Sequence, residues 1–139
     1  MYTIYHSKKL TNLSPVKYKL FNLGVAFAVN YLKIDKNIKF NIYLFHKDDK
    51  SKPQNITLAA YDPQTHDIHV RADNRILMDI LRSFFHEMEH FREQTQGGID
   101  FSKYDDIHCD TEYNANKQAG IMCKVFAKEN NAKWINSID

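Results

Sequence analysis

The chain has 139 residues, which is room for one domain (1–139) and one core, with little left for a second. Hydrophobic content of 43% with only 4 Gly and 3 Pro argues against disorder. A formal charge of +2, with lysines spread along the chain, is too small to imply a nucleic-acid partner, and no run approaches the ~20 apolar residues of a membrane span.

The first residues, Met1 to His6, lack a charged region followed by an apolar run, so no secretory leader is expected and no element is assigned there. Ser14-Pro15 then reads as an N-cap with proline at the first helical position, followed by Val16, Leu20, Leu23, Phe27 and Tyr31 at helical spacing. In the next segment Phe40, Ile42 and Leu44 alternate with Asn41, Tyr43 and Phe45, a strand with both faces expected to be covered. The mixed-charge segment Lys47-Asp48-Asp49-Lys50-Ser51-Lys52 is a hydrophilic loop. Beyond it Ile56, Leu58 and Ala60 alternate with Thr57, Ala59 and Tyr61. Asp62-Pro63-Gln64-Thr65 signals a turn, and Ile68 and Val70 alternate with His69 and Arg71, which completes an antiparallel hairpin.

From Asn74 to Gln94 the apolar residues Leu77, Leu81, Phe84, Met88 and Phe91 draw one helical stripe. The same helix carries His86-Glu87-Met88-Glu89-His90, an H-E-x-x-H string whose two histidines lie nearly opposite that stripe. At ~100° per residue, positions i and i+4 stand ~40° apart, so both imidazoles can reach one cation, and Glu87 can act on a water beside it. Judged by the helix alone, this is equally a solvated polar face shared with Asp79, Ser83 and Glu93.

A zinc site requires a third protein ligand. Asp110 reads as the N-cap of a last helix running to about Lys128, with Glu112 in its first turn and Ala115, Ala119, Cys123 and Phe126 on one face. Small residues below Glu112 allow close approach to the His-bearing helix. Asn116, four residues after Glu112, can hold a ligand imidazole through the nitrogen that does not face the metal.

With H-E-x-x-H at 86–90 and E-x-x-A-N at 112–116, the chain resembles the small gluzincin metallopeptidases, the ImmA/IrrE-like and minigluzincin group, over roughly residues 55–128. The resemblance implies His86, His90 and Glu112 as ligands of one zinc per chain, Glu87 as general base and Asn116 as the residue orienting a histidine. It further implies a minimal zincin-like α+β fold: an N-terminal helix, a three-stranded, mostly antiparallel sheet, the H-E-x-x-H helix and a C-terminal Glu-bearing helix. Glu89 and Gly120-Ile121-Met122 depart from the family pattern, Glu89 by adding charge near the site. In zincins the strand before the active-site helix borders the cleft, so Asp67–Ala72 is the expected open edge for an extended peptide.

The expected activity is peptide-bond hydrolysis by an endopeptidase. Tyr104, His108 and Tyr113, and also His69 and Arg71, are candidates for an oxyanion donor. His6, His46 and His66 are expected at the surface. Expected partners are a protein or peptide substrate and a regulatory protein, with no nucleic acid and no membrane. The isolated thiols Cys109 and Cys123 suit a reducing, cytoplasmic setting. The resembled family includes phage and mobile-element proteins.

Two other readings remain. One is a catalytically silent zinc-binding regulatory or structural module. The other pairs Glu87-x-x-His90 with Asp105-x-x-His108 as a carboxylate-bridged di-iron site, which belongs in a four-helix bundle.

Overall fold

The computed structural model describes residues 1–11, 13–53, 55–99 and 106–131, the last stretch with side chains from 110 onward. In chain order the elements are β1 (Tyr2–His6), α1 (Pro15–Tyr31), β2 (Phe40–Phe45), β3 (Ala59–Asp62), β4 (Asp67–Arg71), α2 (Leu77–Thr95) and α3 (Asp106–Glu129). This is a mixed α+β arrangement with, among the described residues, three helices and one four-stranded sheet.

The sheet order is β1-β2-β4-β3. β1 and β4 flank β2 in parallel, and only β3 and β4 run antiparallel. The sheet therefore has four strands rather than three and is mostly parallel rather than mostly antiparallel. The extra strand is β1, whose Tyr2 and Ile4 pack toward the core while Thr3 and Tyr5 stay exposed. That alternation of aromatic and β-branched residues is a strand signal, but in five residues it is easily passed over. A parallel β1–β2 pair needs a long crossover, and α1 lies on it.

Among the described residues, the helices cover one face of the sheet. Phe40, Ile42, Leu44, Ile68 and Val70 are buried against the helices. On the other face Tyr5, Tyr43 and His69 stack in one cross-strand row, with ring centroids 5.0 and 4.8 Å apart. β2 is thus half-open, with Asn41 and Tyr43 only partly buried and Phe45 enclosed at its end.

α1 begins as its residues dictate. Ser14 Oγ accepts from the Lys17 N–H at 3.1 Å, and Pro15 opens the helix. Its buried face runs through Lys17, Leu20, Phe21, Gly24, Val25 and Ala28, while Val16, Leu23 and Tyr31 are largely exposed. The expected stripe shared only Leu20 with that fully buried face. Gly24 explains the difference, because a Cβ there would run into Leu81 Cδ2. The two helices cross where a side chain is missing, which turns the neighbouring face inward.

α2 is the central element. It packs on β3 and β4, on α1 and most extensively on α3. Aromatic contacts tie it to its neighbours: Phe21 on Phe84, Phe27 and Phe126 on Phe85, and Phe40 and Tyr61 on Phe91. Consequently its polar side is not a solvated face. Glu87, Glu89, His90 and Glu93 are buried along with the apolar stripe. α3 packs along α2 with Ala115, Ala119, Met122, Cys123 and Phe126 all nearly inaccessible. That helix begins at Asp106, a turn earlier than an N-cap at Asp110 would place it. Glu112 therefore sits in its second turn, where the backbone is already fixed.

Candidate metal centre

Two helices bring three side chains to one point. His86 and His90 stand on consecutive turns of α2, their rings edge to face with centroids 4.8 Å apart. Their Nε2 atoms face each other at 3.1 Å. From α3, the Glu112 carboxylate spans both, with Oε1 2.7 Å from His90 Nε2 and Oε2 3.0 Å from His86 Nε2. One donor atom from each residue lies within 4.8 Å of the others, so His86, His90 and Glu112 form a group that can hold a metal ion. Ala115, one turn after Glu112, is fully buried, and its small side chain permits the close approach.

The donor set fits a tetrahedral ion. Ligand bonds of roughly 2.0–2.1 Å put neighbouring donor atoms about 3.3 Å apart, a few tenths of an ångström wider than the separations here. Ring orientation fits as well. Asn116 Oδ1 accepts from His86 Nδ1 at 2.8 Å, which leaves the Nε2 lone pair of a neutral ring aimed at the other donors. On the second ring, His90 Nδ1 lies 3.7 Å from the Glu93 carboxylate, whose buried Oε1 has no hydrogen-bond partner among the described residues. A negative charge on Glu93 is costly there: burial first, then the neighbouring Glu89 charge, push its carboxyl up to about 7.

Glu87 lines the cleft beside these donors, with Oε1 3.9 Å from His86 Nε2. Burial, and secondarily the Glu112 charge, raise its carboxyl to about 8. A cation held by the neighbouring donors acts in the opposite direction and favours the carboxylate. Glu89, the departure in the motif, acts on the neighbouring Glu93, but its own charge is paired. It turns to the back of α2, where Arg92 Nε reaches both its oxygens at 3.1 and 3.0 Å.

The cluster opens into a cavity of about 870 Å³. One wall is the sheet edge at Thr57, Leu58 and Ala59, and the other is α3 at Glu112, Asn116 and Ala119. Arg75 and, along α2, Asp79, Arg82, Ser83, His86 and Glu87 line the rest. The edge strand here is β3. The Asp67–Ala72 segment was the expected edge, but β4 is enclosed between β2 and β3, so its main-chain groups are already paired. Antiparallel return of the hairpin places β3 outermost, which hydrophobic alternation alone does not specify.

Of the expected oxyanion donors, the described ones, Tyr113, His69 and Arg71, do not gather at the cluster. Tyr113 is 68% exposed and does not line the cavity. His69 stacks on Tyr43 on the far face of the sheet, and Arg71 is committed to Asp73 at 3.0 and 3.1 Å. Tyr104 and the His108 side chain lie outside the described residues, as does Asp105, and a four-stranded sheet is not the bundle that a di-iron reading requires. His6 is exposed, whereas His46 and His66 are half-buried, His66 packing edge-on against Phe91. Arg75 and Arg82 are the cleft residues that the sequence did not bring forward. Helical spacing from His86 could have marked Arg82, which precedes it by one turn. Compared with protein-family models, curated proteins and solved structures, the chain matches none.

Proposed function

We propose that the chain is a small zincin-like, zinc-dependent endopeptidase. The observation that carries this reading is the convergence of His86, His90 and Glu112 at the floor of an open cleft with a further carboxylate, Glu87, beside them. Two imidazoles and a carboxylate suit zinc, and three protein donors leave a position open. When bound, the ion supplies Lewis-acid polarisation of a peptide carbonyl and draws the pKa of water toward about 7.

The chain's own residues do the rest. Glu87 faces the same space as the donors, so it takes the proton from the attacking water and returns it to the departing amine nitrogen. Asn116 keeps the His86 ring in the tautomer that presents Nε2. The outer edge of β3 offers main-chain groups along which an extended peptide can lie, with affinity that does not depend on one sequence. Cys123, a buried free thiol, suits the reducing cytoplasm in which we place the protein.

One observation favours a silent zinc-binding module instead: among the described residues, no tyrosine or third histidine lines the cleft as an oxyanion donor. Glu87→Gln separates the two readings. A peptidase retains its zinc and loses roughly 10²–10⁴-fold in turnover. Unchanged behaviour of the variant in every assay rejects the peptidase reading.

A further inference from the structure

The cleft carries a charge pattern that the hydrolytic chemistry does not use. Next to the metal cluster it holds acids, Glu87 and Glu112. One helical turn away it holds two guanidinium groups against one carboxylate, Asp79. Arg75 is fixed in place: Nη1 donates to Arg71 O at 3.1 Å, and Nη2 donates to Asp79 O at 2.9 Å and to Ser83 Oγ at 2.7 Å. Ser83 precedes His86 by three residues, so this half-buried guanidinium stands about one turn from the cluster. Arg82 precedes His86 by four residues and makes no hydrogen bond or ion pair to another described side chain. Its Nη1 lies over Gly120 of α3, 3.6 Å from where a Cβ would be. Gly120 in turn follows Asn116 by one turn, so Arg82 reaches from α2 toward α3 one turn beyond the cluster, and Arg75 lines the same cleft.

We propose that this end of the cleft is a carboxylate-binding subsite, so that the preferred substrate carries an acidic group close to the bond that is cut. Arg82 can offer a carboxylate the planar N–H fork that matches its two oxygens, and charge-assisted hydrogen bonds are the strong ones; Arg75, its own Nη groups committed, adds positive charge to the same lining. Position follows from helix geometry. Four residues advance about 6 Å along α2, whereas an extended peptide advances about 3.4 Å per residue. The acidic group therefore sits one or two residues from the scissile bond. The carboxylate can belong to an Asp or Glu side chain or to the C-terminus of the peptide. This inference deepens the peptidase reading and rests on it for the cleavage step, but the binding step stands without turnover.

The test uses the full zinc-loaded chain and fluorescent pentapeptides that vary one residue among Glu, Asp, Gln and Lys, each as free acid and as amide. Cleavage is followed on the parent protein, and binding by anisotropy on Glu87→Gln, in both cases with and without Arg82→Glu. Arg82 is exposed, and zinc content with circular dichroism checks that each variant is folded. The expected result is a preference of roughly tenfold or more for a carboxylate-bearing peptide, abolished or reversed by Arg82→Glu and partly kept by Arg82→Lys. Preference among the amides assigns the carboxylate to a side chain, and preference for free acids alone assigns it to the C-terminus. Carboxylate-dependent binding with no cleavage of any peptide retains the subsite and rejects the peptidase. Cleavage or binding indifferent to the carboxylate, or a preference that Arg82→Glu leaves intact, overturns the subsite.

Discussion

Replacing Asn116 with Ala removes the oxygen that accepts from His86 Nδ1 at 2.8 Å and should weaken metal binding without unfolding the protein. Two effects add. The lost hydrogen bond is worth about 1 kcal/mol. Without it the neutral ring is free to carry its proton on either nitrogen, which halves the fraction presenting Nε2 and costs about 0.4 kcal/mol more by RT ln 2. A ring released to rotate adds to both, so zinc affinity should fall by roughly 10- to 100-fold. Asn116 is exposed, so the fold itself should shift by no more than about 0.5 kcal/mol. Asn116→Asp keeps an acceptor and adds negative charge, and should bind zinc at least as tightly as the parent. The assay is competition against a chromophoric zinc chelator at neutral pH, with thermal melting of the metal-free forms alongside. An Ala variant within about twofold of the parent would refute the orienting role.

Glu93→Gln should likewise weaken zinc binding by roughly tenfold while leaving the fold as stable or more so, since an amide avoids a buried charge beside Glu89; equal affinity would detach Glu93 from the site. Cys123 is buried, and its thiol is pushed up to about 11, chiefly by burial, so iodoacetamide should leave it unmodified at neutral pH until denaturant is added. Rapid labelling of Cys123 in the native state would show that α3 is not packed as described. Burial alone would raise the Asp73 carboxyl, but hydrogen bonds from Arg71 and from the Lys47 N–H outweigh it and hold it below its usual range. A lowered folded value means stabilisation that is complete above the unfolded pKa of about 4 and disappears as pH falls through the folded one. Asp73→Asn should therefore cost about 1–2 kcal/mol at neutral pH and little in strong acid, as read from urea midpoints. A cost that does not change with pH would place its origin elsewhere.

Periodic segments were legible because local rules alone determine them. Ser14-Pro15 marks the start of α1, the Asp62–Thr65 turn joins β3 to β4, and Ala115, Ala119, Cys123 and Phe126 trace the buried face of α3. Helix arithmetic puts His86 and His90 together, and small residues after Glu112 open the way for a second helix to approach. What escaped depends on neighbours distant in the chain. β1 becomes a strand by pairing with β2, and the order β1-β2-β4-β3 is set by crossovers that leave no local mark. The inward face of α1 follows from Leu81 meeting Gly24, not from α1's own apolar count. Likewise the polar residues of α2 looked solvated because α3, which packs along α2, is another segment of the chain. Arg75 joins the cleft only through its reach to Ser83, a contact that spans the turn into α2.

The account stands most directly on the metal content of the purified 139-residue chain, measured beside Glu112→Ala. Close to one zinc per chain in the parent, and most of it lost in the variant, is the expected outcome. A parent that emerges metal-free even after zinc is supplied, or a variant that holds zinc as firmly as the parent, would contradict a site built by His86, His90 and Glu112.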